Sequence, residues 1–245
     1  MSEQAFFLYD LHLRTSPRQG MDDLVRKASD AGFRSFGVVG DVAPWGIKND
    51  EDLRRFIDEV KDYPCLMGLR PAEPGWSANL SAELVGQVDY VLMAPQYMPD
   101  GNRYGDRMEV WDHNCYVDDP EDFMRRHMAW YRRILENDEP LDILSWPLFL
   151  PLSLQREYDA LWTRERQETL IEAARRRGVA IEINDLAHTP HAEFILMARQ
   201  AGLKFTFGSD TRDHCSFRLD YCKRVASLCG LTEADLFLPG RKPRG

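Results

Sequence analysis

"YDLHLRTSPRQG", residues 9–20, sets an aspartate, a histidine and an arginine at alternate positions, at the end of an apolar run and just ahead of a helix start. Asp-x-His-x-His in such a place would be half of a metal site. Here the second histidine position is Arg14, whose guanidinium stays protonated and offers only donors. The stretch therefore reads as a first strand leading into a polar site. Whether that site holds metal depends on what the other strand ends carry.

Outward from it one unit recurs: a short β-rich run, a turn, then an amphipathic helix. The runs are "AFFLYDLHL" (5–13), "SFGVVG" (35–40), "CLMGLR" (65–70), "YVLMAP" (90–95), "DILSW" (142–146), "VAIEIN" (179–184) and "KFTFGS" (204–209). Each is nearly continuously apolar, as parallel strands buried on both faces require. Helix signals separate them. Ser16-Pro17 opens the first helix and Gly32 closes it, Asp119-Pro120 opens another, "RRRGV" stops at Gly178, and Thr189-Pro190 opens a helix that ends before Gly202.

Seven strands alternating with helices, without a composition break, predict one α/β barrel-like domain over residues 1–245. An open doubly wound sheet is the alternative. It would usually carry a Gly-rich phosphate loop after its first strand, and "HLRTSP" is not one. The long connection "QYMPDGNRYGDRMEVWDHNCYVDD" (96–119) exceeds a simple link, and its Tyr, Trp and Arg content predicts an ordered lid over 97–118.

Formal charge is −9, and the one basic block, "RRR" at 175–177, ends a helix, which argues against nucleic acid as a partner. An acidic body with local arginines fits a small anionic ligand better. The five cysteines form no CxxC pair and predict reduced thiols. The N-terminal "MSEQAFFLYD" is too short and acidic for a signal peptide, and no apolar run approaches the roughly 18 residues of a membrane span. The expectation is a cytoplasmic protein with no membrane partner.

In a parallel barrel the reacting groups stand where strands run out into the following loops. Those ends carry His12 and Arg14, Asp41, Arg70 and Glu73, Gln96, Trp146, Glu182 and Asn184, and Asp210 and Arg212. The set is too polar to be core filling. Blander readings hold for single members: Glu182 and Asn184 could cap a neighbouring helix, and Trp146 before Pro147 reads as barrel packing. His127 shares a helical face with Phe123 and Ile134 and reads as core, while His188 and His191 read as surface.

The order of motifs resembles the polymerase and histidinol phosphatase (PHP) superfamily. "YDLHLRT" is similar to its Asp-x-His-x-His-[Ser/Thr] motif, "AGFRSFGVVGD" to the element ending Thr-Asp-His, and "LMGLRPAE" to Gly-x-Glu. "VDYVLMAPQ" resembles the strand ending Ser-x-His, "DILSWP" Asp-Ile-x-x-His-Pro, "AIEIN" the Glu-x-Asn strand, and "FTFGSDTR" Gly-Ser-Asp-Ala-His. The resemblance spans about residues 6–214 in order and implies a distorted (β/α)7 TIM-like barrel. It also implies a hydrolase of phosphoesters in which His, Glu and Asp side chains hold two or three divalent metals.

The departures from that pattern are concentrated at the ligands. His12 and Asp210 survive, and Asp41 stands where a histidine would be. Arg14, Arg70, Gln96, Trp146 and Arg212 occupy positions where ligands are expected, with Glu73 close enough to Arg70 to replace it by a local shift. At 5 Å and an effective dielectric of 20, one guanidinium repels a divalent ion by roughly 6–7 kcal/mol before screening. The site thus reads as rebuilt and metal-poor, with at most one divalent metal and no cofactor specified. His12, Asp41, Glu73 and Asp210 are the residues that could hold such an ion. As catalytic groups we expect His12, Asp41 and Asp210, and as anion-binding groups Arg14, Arg70, Gln96 and Arg212.

Weaker constellations remain. His113, Cys115, His214 and Cys215 have the ligand types of a zinc site if the lid folds over the mouth, though their spacing matches no standard pattern. A Ser/His/Asp hydrolase lacks a nucleophile elbow. The readings carried forward are a PHP-like hydrolase-fold protein acting on or binding a small phosphorylated or carboxylated compound, a catalytically inactive binding or scaffold protein of that fold, and a mononuclear metal-dependent phosphoesterase. A metal-free sugar isomerase or lyase has less support.

Overall fold

The computed structural model of the chain describes residues 8–15, 20–100, 106–210 and 217–242. In chain order its strands are β1 (Tyr9–Leu13), β2 (Ser35–Val42), β3 (Leu66–Pro71), β4 (Tyr90–Met93), β5 (Tyr97–Pro99), β6 (Arg107–Glu109), β7 (Ile143–Leu144), β8 (Ala180–Asn184) and β9 (Phe205–Gly208). The helices are α1 (Met21–Asp30), α2 (Asp50–Val60), α3 (Ala82–Val85), α4 (Pro120–Glu136), α5 (Tyr158–Leu161), α6 (Arg164–Arg177), α7 (Ala192–Gln200) and α8 (Asp220–Leu228).

All seven expected runs are strands of one parallel sheet, in the order β1-β2-β3-β4-β7-β8-β9. Sequential order with a helix between neighbours is what right-handed crossovers produce, and it curls the sheet into a nearly closed (β/α)7 barrel. The closing seam lies between β1 and β9. Among the described residues no ladder joins them. Instead Tyr9 stacks on Phe207 at 5.5 Å, and the Ser209 amide donates to the Asp10 carboxylate at 3.1 Å.

Two apolar cores follow from the strands having two buried faces. Tyr9, Leu11, Val39, Leu66, Tyr90, Leu92, Ile143 and Ala180 cluster with no helical residue among them, so they fill the barrel interior. Tyr90 crosses that interior to donate to the Leu11 carbonyl at 2.7 Å. A Cβ at Gly37 or Gly68 would collide with its ring, which explains why β2 and β3 carry glycine there. The larger core lies between sheet and helices. On α4 it takes Phe123, His127, Tyr131 and Ile134, one stripe at helical spacing. His127 is fully buried and stacks on Phe123, as its place on that stripe predicts.

Helix starts mostly follow the expected caps. Asp119 accepts from the Asp122 amide at the head of α4, and Gly178 ends α6 in the left-handed region. One expected start is corrected. Thr189-Pro190 does not open α7; His191 is its N-cap, because the Thr189 carbonyl is used by the Asn184 amide at 2.7 Å to close the loop after β8. Ser16-Pro17 lies outside the described residues, and α1 starts after Gly20. The expected lid contains a hairpin, β5 paired antiparallel with β6. Arg126 anchors it by donating to the Pro99 carbonyl at 3.0 Å, and Arg107 pairs with Glu73 at 2.5 Å. Among the described residues no helix is long and apolar enough to cross a membrane.

Candidate functional site

The strand ends converge at the barrel mouth. His12, at the end of β1 where the register against β2 shifts, places Nδ1 2.6 Å from Oε1 of Glu182 on β8. Gly208 makes that contact possible, since a Cβ there would strike both the Glu182 carboxylate and His12. The other Glu182 oxygen accepts from the Ser145 hydroxyl, the Trp146 amide at 3.2 Å and the Asn184 side chain at 3.0 Å. With those donors on one oxygen, the other is placed to accept the Nδ1–H of His12. The lone pair of a neutral imidazole is then at Nε2, which lies 3.7 Å from Oδ1 of Asp210.

From Asp210 the network continues toward solvent. Arg14 stands 2.9 Å from Asp210 and 3.5 Å from Asp41, and Arg70 donates from Nε to Asp41 at 2.6 Å and from a terminal nitrogen to Gln96 at 2.9 Å. His12 and Asp210 are fully buried, whereas the side chains of Arg14 and Asp41 are 14% and 24% exposed. Among the described residues of the network, Arg14 and Asp41 thus lie outermost.

Burial alone pushes the Asp41 carboxyl up, but the charge and hydrogen bond of Arg70, joined by the charge of Arg14, outweigh it and hold the group below the ordinary carboxylate range. The same pair works on Arg70: burial lowers it, and Asp41 more than restores it. Among the described residues Asp10 has no such guanidinium partner. Burial pushes it up to about 6, against the pull of hydrogen bonds from Ser209 and His12.

Backbone strain gathers at the same mouth. Trp146 has φ 48° and Asp210 φ 48°. An aspartate tolerates the left-handed region, but a tryptophan there costs about 1–2 kcal/mol. At Trp146 the strained turn aims the amide at Glu182.

Of the expected site residues, His12, Arg14, Asp41, Arg70, Gln96 and Asp210 are brought into one network. Glu73 is not: its carboxylate turns outward to Arg107. Arg212, His214, Cys215 and the lid residue Tyr104 lie outside the described residues, and His113 is largely exposed. Glu182 stood in the polar strand-end set without a catalytic or binding role, with helix capping as its blander reading; in the structure it caps no helix and instead meets His12. A glutamate between the two isoleucines of "AIEIN" was the available signal, because a buried charge must be paired.

The donor set does not fit the metals implied by the motif order. Asp41 and Asp210, which such ions would need, are already in contact with guanidinium groups that repel a cation. Among the described residues no group of three or more His, Cys, Asp or Glu side chains is arranged to hold a metal ion.

No family model matches the chain, and no curated protein matches it by sequence. Among solved structures it is similar to the histidinol phosphate phosphatase of Lactococcus lactis subsp. lactis, solved with zinc, L-histidinol and phosphate. The TM-score is 0.61 at 14% identity, over 92% of this chain and 95% of that one. An archaeal ribonuclease P with mature tRNA (TM-score 0.47, 14% identity, 93% and 84% covered) and a deoxyribose phosphate aldolase from Aeropyrum pernix (0.44, 13%, 93% and 82%) are more distant. The likeness to the phosphatase is one of fold: a seven-stranded parallel barrel ringed by helices, shared across nearly the whole of both chains.

Proposed function

We propose that the chain is a divergent PHP-like protein whose mouth is a metal-independent acid–base site for a small anionic compound. The observation that carries this reading is the position of Arg14 and Arg70. They sit on Asp210 and Asp41 and supply there the positive charge that divalent ions would otherwise bring.

In this reading His12 is the base. Glu182 fixes its ring by accepting the Nδ1–H hydrogen bond, leaving Nε2 to remove a proton from water. In the hydrolysis of a phosphoester, the water oxygen forms the new bond to phosphorus as its proton passes to Nε2. The bond to the leaving oxygen breaks, and that oxygen recovers the proton from the imidazolium. Glu182 and Asp210 flank and stabilise the imidazolium in between. Arg14, at the rim, and the side-chain amide of Gln96 bind the anionic group.

A second reading, a catalytically silent binding protein, is favoured by one observation: both described arginines of the mouth already lie against carboxylates. An anion must then compete with Asp41 and Asp210 for them. Elemental analysis of protein purified without added metal, followed by phosphomonoester turnover with and without chelator, tests the first reading. We expect at most one metal per chain and turnover indifferent to chelator. Two or three stoichiometric metals would overturn the metal-independent site, and absence of turnover across a phosphoester panel would favour the silent one.

A further inference from the structure

The two outermost described residues of the mouth network carry opposite charges. Arg14 directly follows β1, Asp41 lies near the end of β2, and Nη1 of the one stands 3.5 Å from Oδ2 of the other. That contact is looser than the one each side chain makes deeper in the mouth. Arg14 reaches Asp210 at 2.9 Å through its other terminal nitrogen, and Asp41 takes the Arg70 Nε at 2.6 Å on its other oxygen. Asp41 and Arg70 stand opposite each other in the β2–β3 ladder, and Gln96 holds a terminal nitrogen of Arg70 at 2.9 Å. Both members of the outer pair are therefore anchored from behind. Parting Nη1 from Oδ2 frees neither side chain. It opens a gap with a guanidinium nitrogen on one side and a carboxylate oxygen on the other, at a spacing already set by the barrel.

An anion entering this gap gains Nη1 but takes it from Oδ2, and its own charge then lies beside that oxygen. A cation meets the converse problem at Arg14. A compound carrying both charges replaces each displaced partner with one of its own. We propose that the mouth takes a zwitterion, with its anionic group on Nη1 of Arg14 and an ammonium on Oδ2 of Asp41. An ammonium offers only donors and a carboxylate oxygen only accepts, so the second contact is matched in hydrogen bonding as well as in charge. In the empty protein the two side chains satisfy each other, and the ligand trades that loose pair for two closer ones. Entry of an anionic group at Arg14 rests on the function proposed above; the ammonium at Asp41 is the added element.

O-phosphoethanolamine carries both charges on a short bridge, and propyl phosphate keeps its length with a methyl group in place of the ammonium. Each is titrated into the full chain by calorimetry. Wild type should bind O-phosphoethanolamine at least about tenfold more tightly than propyl phosphate. Asp41→Asn keeps an oxygen for the Arg70 Nε and drops the charge, so it should bring the two affinities together. If that variant does not fold, 2-hydroxyethyl phosphate makes the same test on wild type: it donates a hydrogen bond without a charge and should bind like propyl phosphate. Equal binding of O-phosphoethanolamine and propyl phosphate to wild type, a preference that survives Asp41→Asn, or 2-hydroxyethyl phosphate binding as tightly as O-phosphoethanolamine would overturn the zwitterion and leave the anion site standing. Binding of none of the three would remove the anion site itself, and the zwitterion with it.

Discussion

His12 on β1 and Glu182 on β8, 170 residues apart in the chain, meet at 2.6 Å in the space left by the missing side chain of Gly208. The contact makes Glu182 the centre of the mouth, since the same carboxylate also holds Ser145, Trp146 and Asn184. Glu182→Ala strips four donors of their acceptor in a fully buried place and should cost about 3–5 kcal/mol. Glu182→Gln keeps the shape but turns an amide donor toward other donors, and should cost about 1–3 kcal/mol. Urea unfolding measures both. A loss below about 1 kcal/mol in the alanine variant would contradict the network.

Asp10 predicts an acid-side gain in stability. Its folded-state carboxyl holds a proton up to about 6, whereas in the unfolded chain it releases it near 4. Between those values the native state carries the extra proton, so stability falls as pH rises through about 4 to 6. Asp10→Asn keeps an oxygen for the His12 and Ser209 amides and removes the charge. It should flatten that slope and stabilise the chain at pH 7 by about 2–3 kcal/mol. A variant less stable than wild type at pH 7 would refute this.

Asp41 has the opposite sign. Its carboxyl is held below the ordinary range, so its contribution is fully present above about pH 4 and lost as pH falls through the lowered value. Arg70→Met removes the responsible charge and should cost about 1–3 kcal/mol at pH 7. The gap from wild type should shrink as pH falls below about 4. Melting curves from pH 2 to 8 would show a gap independent of pH if the pair had no such role.

Arg14 separates an anion site from charge neutralisation. Arg14→Ala leaves the buried Asp210 without its guanidinium and should lower the apo melting temperature whichever role holds. If the rim binds anions, phosphate at a hundredfold excess over its dissociation constant should stabilise wild type by about 2.7 kcal/mol and leave Arg14→Ala unaffected. Phosphate inert in both proteins would mean that Arg14 serves Asp210 and Asp41 alone.

The barrel was legible in the sequence because its strands are buried on both faces and so appear as apolar runs. "SFGVVG" and "CLMGLR" became β2 and β3 within two residues at each end. The mouth was partly legible because polar residues at strand ends stand out against those runs. Its pairing was not. Which carboxylate meets His12 depends on barrel closure and on Gly208, neither of which has a local signature. Likewise Glu73 was read by its nearness to Arg70 in sequence, yet its partner Arg107 comes from the hairpin, whose three-residue strands are too short to show a period.

The seam between β1 and β9 makes closing the barrel and assembling the site a single event. One oxygen of Asp10 takes both the His12 and the Ser209 amides, and Ser209 leads directly into Asp210. Of these two amides only that of Ser209 crosses the seam, so its proton should exchange with deuterium through a local opening, ahead of the His12 amide, whose acceptor lies on its own strand, and of the ladder amides of β2 and β3.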